Sequence, residues 1–119
     1  MGHYIANVRD VEFNLFEVLR LGDVLGSGSY GDLDVDTVRT MLDEVARLAE
    51  GPVAASFADA DRHPPVFDPD RHTITVPAEL AKTVQAVKDA EWWRVGLAEE
   101  VGGVAAPAAL TWAINEMLL

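Results

Sequence analysis

Residues 34–65, DVDTVRTMLDEVARLAEGPVAASFADADRHPP, contain the strongest helical pattern in the chain. Asp34 stands where a helix N-cap accepts free backbone N–H groups, and Asp36 follows in the first turn, where an acidic side chain suits the helix dipole. Because apolar residues then recur at helical spacing, this stretch predicts a mostly helical fold. The predicted buried stripe consists of Val35, Val38, Leu42, Val45 and Ala49.

Gly51 and Pro52 interrupt this pattern. Proline usually kinks or ends a helix because it lacks a backbone N–H. The apolar spacing nevertheless keeps its phase through Pro52 to Phe57. We therefore predict one helix from about 35 to about 62, kinked at Pro52 and ended by the prolines at 64–65.

The rest of the chain divides into short elements that are bounded by glycine and proline. Helical spacing predicts further helices, and β-branched residues on both sides of an Asp-Pro-Asp turn predict a small β-hairpin. The predicted elements are a helix over 8–19 that Gly22 caps, a loop over 22–33, a hairpin over 66–76, a helix over 77–93 that ends before Gly96, a turn over 97–103 and a helix over 107–119.

Length and composition exclude several classes of protein. The 119 residues fit one domain, 1–119, and 50% of them are hydrophobic, so we expect a packed core. A net charge of -11, with 20 acidic and 9 basic residues, argues against a nucleic-acid partner, because no basic stripe could displace phosphate counterions.

There is no cysteine for disulfide or thiolate chemistry. The longest uncharged stretch, 101–115, is too short for a membrane span. With no signal-peptide core, we expect a cytoplasmic protein.

The last predicted helix, 107–119, is apolar on more than one face. It packs fully into its own small core, or it offers a surface to another domain or a partner. The chain stops within this helix without a C-cap, which favours the second interpretation, so we expect self-association. One face carries Leu110, Ala113, Ile114, Met117 and Leu118, and the other carries Trp112 and Leu119.

The loop contains a glycine pattern that is shared with nucleotide-binding sites. Residues 26–31, GSGSYG, match G-x-G-x-x-G. A dinucleotide site needs a strand before this pattern and a helix that opens from its last glycine. Here a helix precedes the pattern and the next helix has its own cap at Asp34. We therefore interpret these residues as a plain loop.

Three further patterns have a structural and a chemical interpretation. Asp59, Asp61 and His63 supply metal-ligand types, but residues two apart face different ways on a helix, so we favour a solvated helix end and assign no metal site. The acids at 34 and 36 could act in acid–base chemistry, but a helix cap explains both. The adjacent tryptophans at 92–93 could form a binding platform, and we favour a split between core and interface.

Five ordered segments carry a resemblance to a known family: residues 3–16, 34–46, 52–64, 92–103, which read WWRVGLAEEVGG, and the helix around 111–116. Together they resemble the N-terminal domain of bacterial FAD-dependent acyl-CoA dehydrogenases over nearly the whole chain. The implied fold is a mostly α N-terminal helical domain with one small β-hairpin. In the family, a β-barrel domain and a C-terminal four-helix bundle follow, and they hold most FAD contacts and the catalytic glutamate.

The resemblance implies part of a flavoprotein of fatty acid metabolism that removes two hydrogens across the α,β carbons of an acyl-CoA. The implied partners are the remaining dehydrogenase domains or a partner subunit, together with acyl-CoA in the complete enzyme. FAD belongs to that complete enzyme, and we expect none on this chain alone, which we expect to be inactive. Helix 107–119 matches the wall of the acyl pocket. The candidate substrate-lining residues are therefore Ala113, Met117 and Leu118, and no catalytic or cofactor-binding residue is assigned.

Two departures from the family pattern fall in the turn that borders its active site. Ala98 replaces a proline, and Val104-Ala105 replace a glycine-containing continuation. Both predict a looser turn.

The competing hypothesis is a stand-alone acidic helical interaction module that kept the fold and lost the chemistry.

Overall fold

The computed structural model describes residues 4–119 and confirms the predicted fold class, which is mostly helical with one small β-hairpin. His3, with which the resemblance begins, lies outside the described residues. The α-helices are α1 (Val8–Glu12), α2 (Val35–Leu48), α3 (Phe57–Arg62), α4 (Ala78–Ala90) and α5 (Ala108–Leu118). A π-helical segment over Phe13–Val18 follows α1, and another over Ala49–Val53 follows α2. The two strands are β1 (Val66–Asp68) and β2 (Thr73–Thr75). Short 3-10 helices cover Leu21–Asp23, Gly28–Tyr30, Trp92–Arg94 and Glu99–Val101.

The helix that begins at Val35 continues past Pro52, as predicted. Its α-helical turns give way to the wider π turn over Ala49–Val53, and the N–H of Ala54 donates to the carbonyl of Ala49. Helical backbone then continues to Arg62 with a single turn residue at Ser56. A π turn changes the direction of a helix without ending it. The π turn over Ala49–Val53 therefore lets the helix continue although proline has no backbone N–H.

The start of α2 has the predicted cap. The N–H of Thr37 donates to Oδ1 of Asp34 at 2.7 Å. This hydrogen bond stabilises the ionised carboxylate and lowers the pKa of Asp34 from its ordinary value. A helix N-cap therefore explains Asp34 without acid–base chemistry, and Asp36 lies in the first turn of α2 as predicted.

Two predicted element ends are wrong. Gly22 does not cap the first helix; it lies within a 3-10 turn, and the left-handed residue there is Arg20, with φ of 54°. The fourth helix stops at Ala90 and not at 93, because Glu91 has φ of 59°. In both places a non-glycine residue takes the backbone conformation that sequence reasoning assigns to glycine.

The hairpin has the predicted strands and turn. Phe67 pairs with Ile74 in an antiparallel register, and Asp68 pairs with Thr73. Oδ1 of Asp68 accepts the N–H of Asp70 at 3.0 Å, which stabilises the turn. Both strands are largely exposed, so the hairpin adds little to the core.

The core lies where α5 packs against α2, with residues of the first helical stretch on the same side. Most of the predicted α2 stripe is buried, and α5 contributes the face that the sequence predicted. The last helix thus packs one face into its own domain and exposes Trp112 on the other. The most deeply buried large side chains are Leu42, Leu110, Ile114, Val38 and Val45.

Candidate functional site

An apolar groove of about 790 Å³ lies between α4 and the end of α5, and we call it the α4–α5 groove. The π turn at Pro52 contributes one wall, and the 3-10 turn after α4 contributes another. Its volume lies in the range of about 300–1,000 Å³ that small-molecule sites occupy. The groove is lined by Val53, Thr83, Val84, Val87, Lys88, Trp92, Trp93, Asn115, Leu118 and Leu119.

This groove is open because the apolar stripe of α4 has little packed against it. The buried position on α4 is the polar Thr83, whereas Val84 is 46% exposed. Trp92 packs against the core, as predicted for one member of the tryptophan pair, and Trp93 is 57% exposed, so its predicted place in an interface stays a prediction. The sequence predicted this helix from its apolar spacing, and that spacing does not show which of its residues other elements cover.

A second groove, the α1–α5 groove, runs along the other side of α5 and has a volume of about 490 Å³. It is more polar, since Asp10 and Glu116 face it together with the exposed ring of Trp112. The other lining residues are Tyr4, Asn7, Val11, Asn14, Leu15, Leu19, Ala109, Ala113 and Met117.

The three predicted substrate-lining residues do not meet in one place. Leu118 lines the α4–α5 groove, whereas Ala113 and Met117 lie at the floor of the α1–α5 groove. Ala113 is 7% exposed and Met117 is 5% exposed, so both belong mainly to the core. The residues that sequence reasoning missed are those of α4, chiefly Val84 and Lys88.

The turn over 97–103 is tightly bonded, which corrects the expectation that it is loosened. The N–H of Gly96 donates to the carbonyl of Val104 at 2.8 Å, and Nε of Arg94 donates to the carbonyl of Gly102 at 2.7 Å. A Cβ at Gly103 would lie 2.4 Å from the carbonyl oxygen of Leu97, so only glycine allows this approach. The departures at Ala98 and at 104–105 leave the turn closed.

Comparison with known proteins gives one strong relationship over the full chain. No protein-family model matches the chain. A Mycobacterium tuberculosis protein described as broad-specificity linear acyl-CoA dehydrogenase FadE5 is 53% identical over 119 residues, which is 100% of this chain. The chain is an acyl-CoA dehydrogenase domain. It spans 20% of the length of that curated relative.

The glycine loop of this acyl-CoA dehydrogenase domain does not fit a flavin nucleotide. Gly26 and Gly28 have positive φ, but a helical stretch precedes them, and the N–H of Gly26 is already bonded to the carbonyl of Tyr30. The next helix is capped by the carboxylate of Asp34, which occupies the position where a phosphate would bind. The plain loop interpretation is confirmed, and we derive no step through FAD at these residues.

Asp59, Asp61 and His63, the three residues of metal-ligand type, lie at the end of α3. Nδ1 of His63 lies 3.0 Å from Oδ1 of Asp59, one turn earlier on α3. Within residues 4–119, no three histidine or acidic side chains are grouped so that they could hold a metal ion. In the same described part of the chain, no helix is long and apolar enough to cross a membrane.

Proposed function

We propose that this chain is the N-terminal part of an FAD-dependent acyl-CoA dehydrogenase and forms one wall of its acyl pocket. The observation that carries the proposal is the 53% identity over the whole chain to a protein with that described activity. The proposed reaction of the complete enzyme removes two hydrogens from the α and β carbons of an acyl-CoA. The alternative, a stand-alone interaction module, is not favoured, because identity at this level extends over the entire domain.

The α4–α5 groove is the surface that best suits an acyl wall. An apolar chain gains about 25 cal/mol for each Å² that it removes from water, and the groove offers apolar side chains from four elements. Leu118 is therefore the substrate-lining candidate that we retain at this surface. Ala113 and Met117 support the wall indirectly, since their burial fixes the position of α5 against α2.

A domain exchange tests the proposal. This chain would replace the matching fifth of the Mycobacterium tuberculosis relative, and turnover of linear acyl-CoA would be measured with an artificial electron acceptor. We expect a yellow, active chimera. Leu118→Trp in the chimera should reduce kcat/KM for long acyl chains more than for short ones. Trp112→Phe, on the opposite side of α5, is the matched control and should leave the chain-length profile unchanged. A folded, flavin-containing chimera without turnover would contradict the proposal.

The isolated chain should neither bind flavin nor turn over acyl-CoA. The implied flavin contacts and the catalytic glutamate lie in later domains of the family, and the glycine loop does not fit a nucleotide. The measurement is the visible spectrum of the purified chain after FAD is added and unbound flavin is removed. A stoichiometric yellow complex would contradict this assignment of roles.

A further inference from the structure

The α1–α5 groove combines an apolar floor with an acidic edge. Val11 and Leu15 line the groove from one side, and the small side chain of Ala109 lines it from α5. Among residues 4–119, the charged side chains that line it are Asp10 and Glu116, and no Lys or Arg joins them. A groove of this kind between two helices is a surface on which a third helix packs.

Trp112 and Glu116 lie one turn apart on α5, and both side chains line the groove. Trp112 is 67% exposed, so a partner can reach its indole ring. Within the described residues, no ion pair or hydrogen bond engages the carboxylate of Glu116. A guanidinium group can stack on an aromatic ring and pair with a carboxylate at the same time, so these two side chains together suit an arginine.

Asp10 offers a second carboxylate on the opposite side of the groove. The side-chain amide of Asn7 donates to its Oδ2 at 2.8 Å, and Nδ2 of Asn14 donates to its backbone carbonyl at 2.8 Å. Both amides therefore hold the segment around Asp10 in place. The side chain of Asp10 remains exposed, and an ionised carboxylate can accept further donors beside that of Asn7.

We propose that the α1–α5 groove docks an amphipathic helix of a partner protein that carries arginine beside its apolar face. The apolar side chains of this helix lie on the floor of the groove. One arginine stacks on Trp112 and pairs with Glu116, and a second basic side chain approaches Asp10. The groove lies on the other side of α5 from the proposed acyl wall, so the inference goes beyond the proposed function and does not depend on it.

Charge favours this partner over a second copy of the chain. Each copy has a net charge of -11, and α5 carries no Lys or Arg. Two copies that meet at this groove bring acidic side chains together, so their association should strengthen when salt screens the repulsion. A helix with arginines brings the opposite charge, so its affinity should fall when salt is added.

Fluorescence anisotropy of a dye-labelled peptide measures the docking. The peptide is an amphipathic helix of about 14 residues, long enough to span α5, with leucines on one face and arginines beside them. Two otherwise identical peptides carry lysine or glutamate in place of arginine. Each peptide is titrated with the purified chain at low and at high salt, and circular dichroism of every protein variant checks that the helices remain.

We expect the arginine peptide to bind most tightly and the glutamate peptide to bind most weakly. Glu116→Gln should lower the affinity for the arginine peptide about fivefold, the upper range for an exposed ion pair. Glu100→Gln changes the net charge equally outside this groove and should leave the affinity unchanged. Trp112→Leu should remove the preference for arginine over lysine, whereas Trp93→Leu, at an exposed tryptophan of the α4–α5 groove, should retain it.

Three results would overturn the inference. Absence of binding, or equal affinity of the wild type and Glu116→Gln, would leave only general attraction to an acidic chain. Chain–chain association that the arginine peptide does not reduce in sedimentation velocity would make a second copy the occupant. Binding to the isolated chain but not to the domain chimera would assign the groove to another domain of the complete enzyme. Turnover by the chimera tests the proposed function separately from all three.

Discussion

The hydroxyl of Thr83 donates to the carbonyl oxygen of Pro52 at 2.9 Å and lies 2.8 Å from the hydroxyl of Ser56. Thr83 is 9% exposed and Ser56 is 5% exposed, so the contact between the two hydroxyls is buried, whereas the hydrogen bond to the Pro52 carbonyl is partly buried. It joins α4 to the helical segment around Pro52, and both contribute lining residues to the α4–α5 groove. A buried carbonyl without such a donor would carry the full cost of its desolvation.

Thr83→Val should destabilise the chain by about 1–3 kcal/mol, because an almost isosteric apolar side chain leaves the Pro52 carbonyl and the Ser56 hydroxyl without this partner. Thr83→Ser keeps the hydroxyl and is the control. The measurement is the free energy of unfolding from urea titration followed by circular dichroism. Equal stability of the valine and serine variants would mean that the hydrogen bond contributes nothing.

Ala98→Pro should stabilise the chain by about 0.4–1 kcal/mol, since proline reduces the conformational entropy of the unfolded state. Ala98 has φ of -64°, which is the angle that proline imposes, and no described hydrogen bond uses its N–H. The same titration measures the change. A loss of stability would show that the turn follows a different backbone path.

Gly103→Ala should destabilise the chain by about 1–3 kcal/mol, the usual range for forced overpacking. The added Cβ would lie 2.4 Å from the backbone oxygen of Leu97, which cannot move without opening the turn. Gly51→Ala is the matched control, because no atom beyond its chain neighbours and its own helix backbone lies within 4 Å of its Cβ position. That control should change stability by less than about 1 kcal/mol, since the gain in helix propensity is opposed by the ring of Pro52, which disfavours helical backbone in the residue before it. Similar effects at both positions would contradict the predicted contact.

Local signals allowed the sequence to predict much of this fold. The cap at Asp34, the helical phase through Pro52 and the hairpin around 68–70 each depend on neighbouring residues, and the structure confirms all three. The left-handed residues at Arg20 and Glu91 were missed, because glycine stood close by as the better local candidate.

The candidate site was less predictable, since it depends on packing between distant segments. Periodicity predicted the helix, but it did not show which of its apolar residues stay uncovered, and the structure leaves Val84 exposed beside Lys88. The family resemblance, which matched helix 107–119 to the wall of the acyl pocket, placed Ala113, Met117 and Leu118 together. Met117 and Leu118 are adjacent in sequence, yet they border different grooves because α5 lies between the two grooves.

Self-association of the isolated chain remains a prediction. In the structure, the exposed apolar surface on which we expect it is the face of α5 that carries Trp112, which we call the outer face of α5. Trp112 is 67% exposed there and Leu19 is 59% exposed in the same α1–α5 groove. Burying apolar area contributes about 25 cal/mol per Å², which should outweigh repulsion between copies of net charge -11 once salt screens it. We therefore expect dimers or larger species in sedimentation velocity, and more of them at higher salt.

Substitutions that test self-association must be made at exposed positions, so that they do not disrupt the core. Met117→Glu is unsuitable as a test of association, because Met117 is 5% exposed and a buried carboxylate would unfold the helix. Trp112→Glu should shift the chain towards monomer while the helical circular dichroism is retained. Leu118→Glu, facing the α4–α5 groove, is the control for the other side and should leave association through the outer face intact. A wild-type chain that stays monomeric at high concentration and high salt would show that the exposed face of α5 does not drive association.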